Sequence, residues 1–273
     1  MPDTVQDRAR IHPAVAVHAI TNYTRPGDTV LDPQCGAGTV LVEALRSDRH
    51  AVGITEMPRW WPVARANVTA AKRDGATTDG MVLDGPLDRA TARLSGLTGC
   101  VGLVLTPLRL EGPPRRRTAD SGFDPDCARR SVKRLQGILK QSLPLLRPGG
   151  HVIVIVRLSR HRGYLLNLAD DVLVTGRAVG LSPAERCIAL LAELRGDRLV
   201  LTASMAQRRH DARHQRSTGH PAVLTAHHDV LIFRASYPAV PRAANHRPPG
   251  KDRQERLSLL PDPQDRVLEG HAA

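Results

Sequence analysis

Aromatic residues are scarce: two Trp, three Tyr and two Phe in 273 residues. A stacking platform for single-stranded nucleic acid is hard to build from so few rings. The four cysteines, Cys35, Cys100, Cys127 and Cys187, lie far apart with no C-x-x-C pair. That spacing argues against a metal knuckle or a small disulfide frame, and it fits free thiols in a reducing cytoplasm. No apolar run approaches the length of a membrane span, and Met1 to Arg10 is polar with both charge signs, so no signal peptide is visible. A cytoplasmic protein is expected. Acidic residues are outnumbered, 27 Asp/Glu against 39 Lys/Arg, for a formal charge of +12. The excess fits a polyanionic partner, and it fits equally a merely basic soluble surface.

What is present is enough for one substantial core, at 41% hydrophobic, with length left for a tail. The stretch Thr29-Val30-Leu31-Asp32-Pro33-Gln34-Cys35-Gly36-Ala37-Gly38-Thr39 organises the rest. It reads as a short buried strand ending in an acid, a Gly-rich turn, and a helix through Val40 to Leu45, with Pro26-Gly27-Asp28 as the turn before it. Gly36 and Gly38 let the backbone bend sharply and approach a ligand. The helix N-terminus then turns free N–H groups into that space, as in a nucleotide pocket at the carboxyl end of a first strand in a doubly wound sheet. A dinucleotide fingerprint requires a third glycine where Leu41 stands, and a P-loop requires a Lys that is absent.

Asp32-Pro33-x-Cys35-Gly36-x-Gly38-Thr39 resembles the cofactor motif of S-adenosylmethionine-dependent methyltransferases, particularly those acting on exocyclic amino groups of DNA or RNA. Gly53-x-x-Glu56-x-Pro58-Arg59-Trp60 with Ala64-Arg65-Ala66-Asn67, and Leu146-Arg147-Pro148-Gly149-Gly150 before a strand, extend the resemblance over about residues 11–235. It implies an α/β class I methyltransferase fold: Rossmann-like, doubly wound, with a mostly parallel seven-stranded sheet. It also implies S-adenosylmethionine as cofactor, with Asp32, Cys35, Gly36, Gly38, Thr39, Glu56 and Asp84 as the cofactor-binding set.

Several of these positions have a second reading. Ala51 to Thr55 is a strand ending at Glu56, where such folds hold ribose hydroxyls; the alternative is that Glu56 caps the following helix, which is expected to run to about Ala71. Met81-Val82-Leu83-Asp84 is a third strand, and the resemblance implies an adenine contact for Asp84. The lead-in segment Ala14 to Tyr23 suits a helix beside the first strand, with His12 a site residue or a helix cap.

Val101 to Leu105 is a fourth strand, followed by Thr106-Pro107-Leu108-Arg109-Leu110-Glu111. The family carries its catalytic residues here: a polar acceptor, prolines and a base-stacking aromatic. Aligned on Thr106, Pro107 falls on the polar position and Leu110 on the aromatic one. Glu111, or Asp120 further along, is left as a substitute acid. The resemblance therefore implies a methyltransferase with a degenerate catalytic motif, or a relative that only binds cofactor or nucleic acid.

Arg115, Arg116 and Arg117, a basic helix from about Cys127 to Leu146, and Arg208, Arg209, Arg213 and Arg216 are the candidate phosphate contacts. Strand five is expected over His151 to Val156, a helix over Leu165 to Gly180, strands over Glu185 to Leu194 and Arg198 to Ser204, and a closing strand over His228 to Phe233. His210 and His214 lack a third ligand, so no metal site is expected. Residues 1–237 form the expected domain. Residues 238–273 hold six Lys/Arg and five Asp/Glu among many prolines and are expected to be a disordered tail.

Overall fold

The computed structural model describes Asp7, residues 11–110, 125–161, 164–201, Arg213 and residues 226–235. All belong to the unit Met1–Tyr237. In chain order the elements are α1 (Pro13–Tyr23), β1 (Thr29–Asp32), α2 (Thr39–Arg46), β2 (His50–Thr55), α3 (Trp60–Arg73), β3 (Gly80–Asp84), α4 (Leu87–Arg93), β4 (Val101–Pro107), α5 (Pro125–Ser142) and β5 (Leu146–Arg157). There follow a two-residue hairpin, β6 (Arg160–His161) with β7 (Tyr164–Leu165), then α6 (Leu168–Ala178), β8 (Leu181–Leu190), β9 (Ala192–Arg195), β10 (Arg198–Leu201) and β11 (His227–Ala235).

Seven strands form one sheet in the order β3-β2-β1-β4-β5-β11-β8. Its first five are parallel, and β11 runs antiparallel to both neighbours. This is the mostly parallel seven-stranded sheet expected from the sequence. The strands read as continuous apolar runs because both faces are covered. Successive side chains go to opposite faces: Leu31, Val104, Val152 and Val154 join one buried cluster, while Val30, Leu103, Leu105, Ile153 and Ile155 join the other. Ala16, Ile20, Leu41 and Val68 of α1–α3 close the second; Ala90, Leu135 and Val172 of α4–α6 close the first.

Several boundaries differ from expectation. β8 starts at Leu181 although Pro183 lies inside it, which is possible because β8 is the sheet edge and a register shift falls beside Pro183. β5 starts at Leu146, because its pairing with β4 jumps from Val101↔Leu146 to Leu103↔His151 and absorbs the expected Arg147–Gly150 turn. α4 was not expected; Leu87, Ala90 and Leu94 bury one side of a short, charged segment. No helix among the described residues is long and apolar enough to cross a membrane.

The chain passes from β1 outward to β2 and β3, then returns to place β4 on the other side of β1. The carboxyl ends of β1 and β4 therefore flank a topological switch point, where open α/β sheets bind ligands.

Candidate functional site

The turn after β1 is held from three sides. Cys35 N–H donates to Ile54 O at 2.9 Å, and Gly38 N–H to Cys35 O at 2.8 Å. Asn67 of α3 donates from Nδ2 to Ala37 O at 2.9 Å. Gly36 and Gly38 both take positive φ, +51° and +84°, and Gly38 is the N-cap of α2. A Cβ on Gly38 would press on Ala64 at 3.3 Å, so the Ala64–Asn67 stretch is the brace of the turn. Thr39, the first residue of α2, is buried.

Asp32 is buried, and its Oδ1 accepts from Gln34 N–H at 3.0 Å. Burial pushes its pKa from 3.8 to about 7, against the opposing pull of that N–H and of the Arg109 guanidinium. The Cys35 thiol is in the core, close to where a Gly53 Cβ would stand, and burial with the neighbouring Asp32 raises its pKa well above the usual thiol range. The backbone of Cys35 helps to close the turn through its N–H and its carbonyl. The thiol fills the gap between α2 and β2.

Arg109, just beyond β4, points into the site. Its Nη1 and Nη2 donate to the two oxygens of Asp7 at 3.0 and 3.2 Å, and its Nε and Nη2 donate to Gln34 O at 3.1 and 2.8 Å. Asp7, 4% exposed, also accepts from Ala37 N–H at 3.3 Å. Its Oδ2 lies 1.9 Å from where a Gly36 Cβ would be. The glycine turn thus holds a carboxylate where any other residue would carry its side chain. Asp7, which fills this cradle, was missed by sequence reasoning, since it stands in a polar stretch without periodicity.

The remaining candidates of β4 are structural in placement. Thr106 is fully buried with Oγ1 3.5 Å from Gln34 Oε1. Pro107 is the last strand residue, in register with Ile155, and Leu108 N–H donates to Ile155 O at 2.9 Å. Leu110 packs against the core. Glu56, exposed past β2, accepts a hydrogen bond from Arg134 Nη2 of α5. Asp84, exposed at the end of β3, has Arg93 Nη1 at 3.6 Å. His12 caps α1 through Nδ1, 3.3 Å from Ala14 N.

Arg129, Arg130, Lys133, Arg134 and Lys140 all lie exposed on α5, so a basic face begins beside Glu56. Arg213 is exposed. Glu111, Arg115, Arg116, Arg117, Asp120, Arg208, Arg209 and Arg216 lie outside the described residues, as does the expected tail.

A doubly wound seven-stranded sheet with a braced glycine turn at its switch point defines the class I methyltransferase fold. Three solved structures share it over most of this chain. A tRNA methyltransferase from Aquifex aeolicus matches with TM-score 0.51 and 10% identity, covering 85% of this chain and 72% of that one. A precorrin-6y C5,15-methyltransferase from Geobacter metallireducens matches with TM-score 0.50 and 11% identity, covering 84% and 92%. A candidate methyltransferase from Bacillus halodurans C-125 matches with TM-score 0.50 and 12% identity, covering 82% and 99%. In sequence, residues 9–61 match the family model described as DNA methylase. That span carries α1, the glycine turn and the β2 acid. A search of curated proteins finds no match.

Proposed function

We propose that this protein is an S-adenosylmethionine-dependent methyltransferase whose substrate is an exocyclic amino group of DNA or RNA. The observation that carries the reading is the cradle at Gly36, which holds a carboxylate against the backbone at the switch point between β1 and β4. A cofactor with an amino-acid carboxylate at one end and a ribose at the other fits a site with that cradle and the Glu56 acid at the next strand end.

In this reading Gly36, Gly38 and the backbone of Cys35 and Thr39 admit the methionine end, Glu56 accepts from the ribose hydroxyls, and Asp84 accepts from the adenine amino group. Asp32 shapes the turn, and burial raises its pKa to about 7. The cofactor supplies a methyl group on a cationic sulfur. The protein's task is then to hold the target amine in line with that methyl and to exclude water. The basic face of α5, with the arginines near 115 and 208, supplies phosphate contacts.

A second reading is a methyltransferase-fold protein that binds cofactor or nucleic acid and transfers little. The end of β4 favours it: Pro107 offers no side-chain acceptor, Leu110 is half-buried against the core, and Arg109 is paired with Asp7. Calorimetric titration with S-adenosylmethionine and S-adenosylhomocysteine, followed by labelled methyl transfer to mixed DNA and total RNA, separates the readings. Binding with transfer supports the first, and binding without transfer the second. No binding of either compound defeats both.

A further inference from the structure

We propose that Arg109, together with the Ala37 N–H, is the receptor for the α-carboxylate of the cofactor's methionine half, and that Asp7 holds that place when no cofactor is bound. The proposal rests on the cofactor reading above and goes beyond it, because it assigns a ligand group to an arginine and a competing role to an aspartate.

A planar guanidinium fork matches a carboxylate in two parallel hydrogen bonds, and Arg109 makes that pair with Asp7 at 3.0 and 3.2 Å. A backbone N–H at a glycine turn is a second ready-made anion donor, and Ala37 N–H is directed at the same carboxylate. A pair that only braced the fold could sit anywhere on the surface. In this one the carboxylate is buried and the guanidinium partly so, which costs desolvation, and it lies over Gly36 at the carboxyl end of β1. The receptor is also held independently of its present occupant. Arg109 Nε and Nη2 donate to Gln34 O, so the fork keeps its direction if Asp7 leaves. An amino-acid carboxylate presents the same two oxygens as Asp7, and the two cannot occupy the cradle together.

The consequence is a cofactor site whose apparent affinity is lowered by the fraction of molecules in which Asp7 occupies it. The test uses two ligands that share the thioether nucleoside: S-adenosylhomocysteine, which carries the amino-acid arm with its carboxylate, and 5′-methylthioadenosine, in which a methyl group replaces that arm. Both are titrated calorimetrically into the full chain, into Arg109→Gln and into Asp7→Asn. Arg109→Gln should weaken S-adenosylhomocysteine by roughly tenfold or more, the loss of a charged hydrogen-bonded pair, and leave 5′-methylthioadenosine within about twofold. Asp7→Asn should tighten S-adenosylhomocysteine several-fold and leave 5′-methylthioadenosine unchanged. Unchanged binding of the carboxylate-free ligand also certifies that each variant is folded. Weaker S-adenosylhomocysteine binding in Asp7→Asn would overturn the proposal, since Asp7 would then be part of the site. Equal losses for both ligands in Arg109→Gln, or no loss in either, would overturn it too while leaving the cofactor reading intact. If the wild-type chain and Asp7→Asn both bind neither nucleoside, the cofactor reading itself falls and takes this proposal with it.

Discussion

Arg134 of α5 donates a hydrogen bond to Glu56 at the end of β2, joining the basic face of the protein to the acid proposed to hold ribose. A carboxylate has about four acceptor positions, so one arginine does not exhaust it. Glu56→Ala should weaken S-adenosylmethionine or S-adenosylhomocysteine by about 1–3 kcal/mol, as expected when charged hydrogen bonds are lost. Arg134→Ala should change cofactor affinity far less and weaken nucleic-acid binding. Calorimetry on both variants checks this. An Arg134 variant that loses as much cofactor affinity as the Glu56 variant would mean that the pair acts only as a unit.

The sheet was legible because strands buried on both faces leave a plain record. Thr29–Asp32, Ala51–Thr55 and Val101–Leu105 are short apolar runs bounded by turn residues, and the glycine pattern between Asp32 and Thr39 names the kind of turn. Less visible were elements settled by tertiary context. Pro183 hides the start of β8, since a proline is acceptable there only because the strand is an edge. The Asp7–Arg109 pair could not be read at all, because its partners are 102 residues apart and neither belongs to a periodic segment. In the sequence Arg109 is only one residue of the β4 motif. The structure shows it gripping the Asp7 carboxylate with both Nη atoms.

Asp32 makes a pH prediction. Its folded pKa is raised by burial from 3.8 to about 7, so folding favours the protonated acid. That contribution is complete below pH 3.8 and is lost as pH rises through about 7. His228 has the opposite sign: burial first, then Arg157, lowers its pKa from 6.5 to about 4. Its contribution is present above pH 6.5 and lost as pH falls towards 4. The difference between wild type and Asp32→Asn isolates the aspartate. Asn keeps the Oδ1 acceptor for Gln34 N–H without the charge, so its relative stability should rise from pH 4 to 7 and level off above. Melting curves across that range check it, and a flat difference would show that Asp32 stays ionised.

Nucleic-acid binding should be dominated by phosphate contacts. Arg130 and Lys133 are exposed on α5 beside Arg134. Affinity for duplex DNA or RNA should fall steeply with salt as condensed counterions are released. The double variant Arg130→Glu/Lys133→Glu should reduce the slope of log K against log salt by roughly two. Binding that ignores salt would point to a partner other than a polyanion.

We propose that the folded unit ends before residue 238. Pro241, Pro248, Pro249, Pro261 and Pro263 interrupt the segment that follows, and few apolar residues remain there to bury. Deleting residues 240–273 should leave Tm within about 2 °C, which corresponds to under about 1 kcal/mol for a chain of this size. A larger drop would put part of that segment on the core.

Methyl transfer should be slow even where cofactor binding is intact. Transfer to an exocyclic amine requires an acceptor for the amine's hydrogen bonds and a surface that holds the extruded base. At the end of β4, Pro107 is fixed in register with Ile155 and carries no polar side chain. Leu110 packs on the core and offers no π face. Arg109 would disfavour the cationic amine formed during transfer wherever its charge is not matched by Asp7 or by the cofactor carboxylate. Each lost acceptor or positioning contact is worth one to several powers of ten in rate. Labelled transfer to mixed DNA and total RNA should therefore give slow but measurable product with wild-type protein, and none at all would favour the binding-only reading. Replacing the acceptor and the base platform together, in Pro107→Asn/Leu110→Tyr, should raise it if cofactor binding is retained. Robust wild-type turnover abolished by Glu111→Ala or Asp120→Ala would reverse this prediction and identify the acid that has taken over the role.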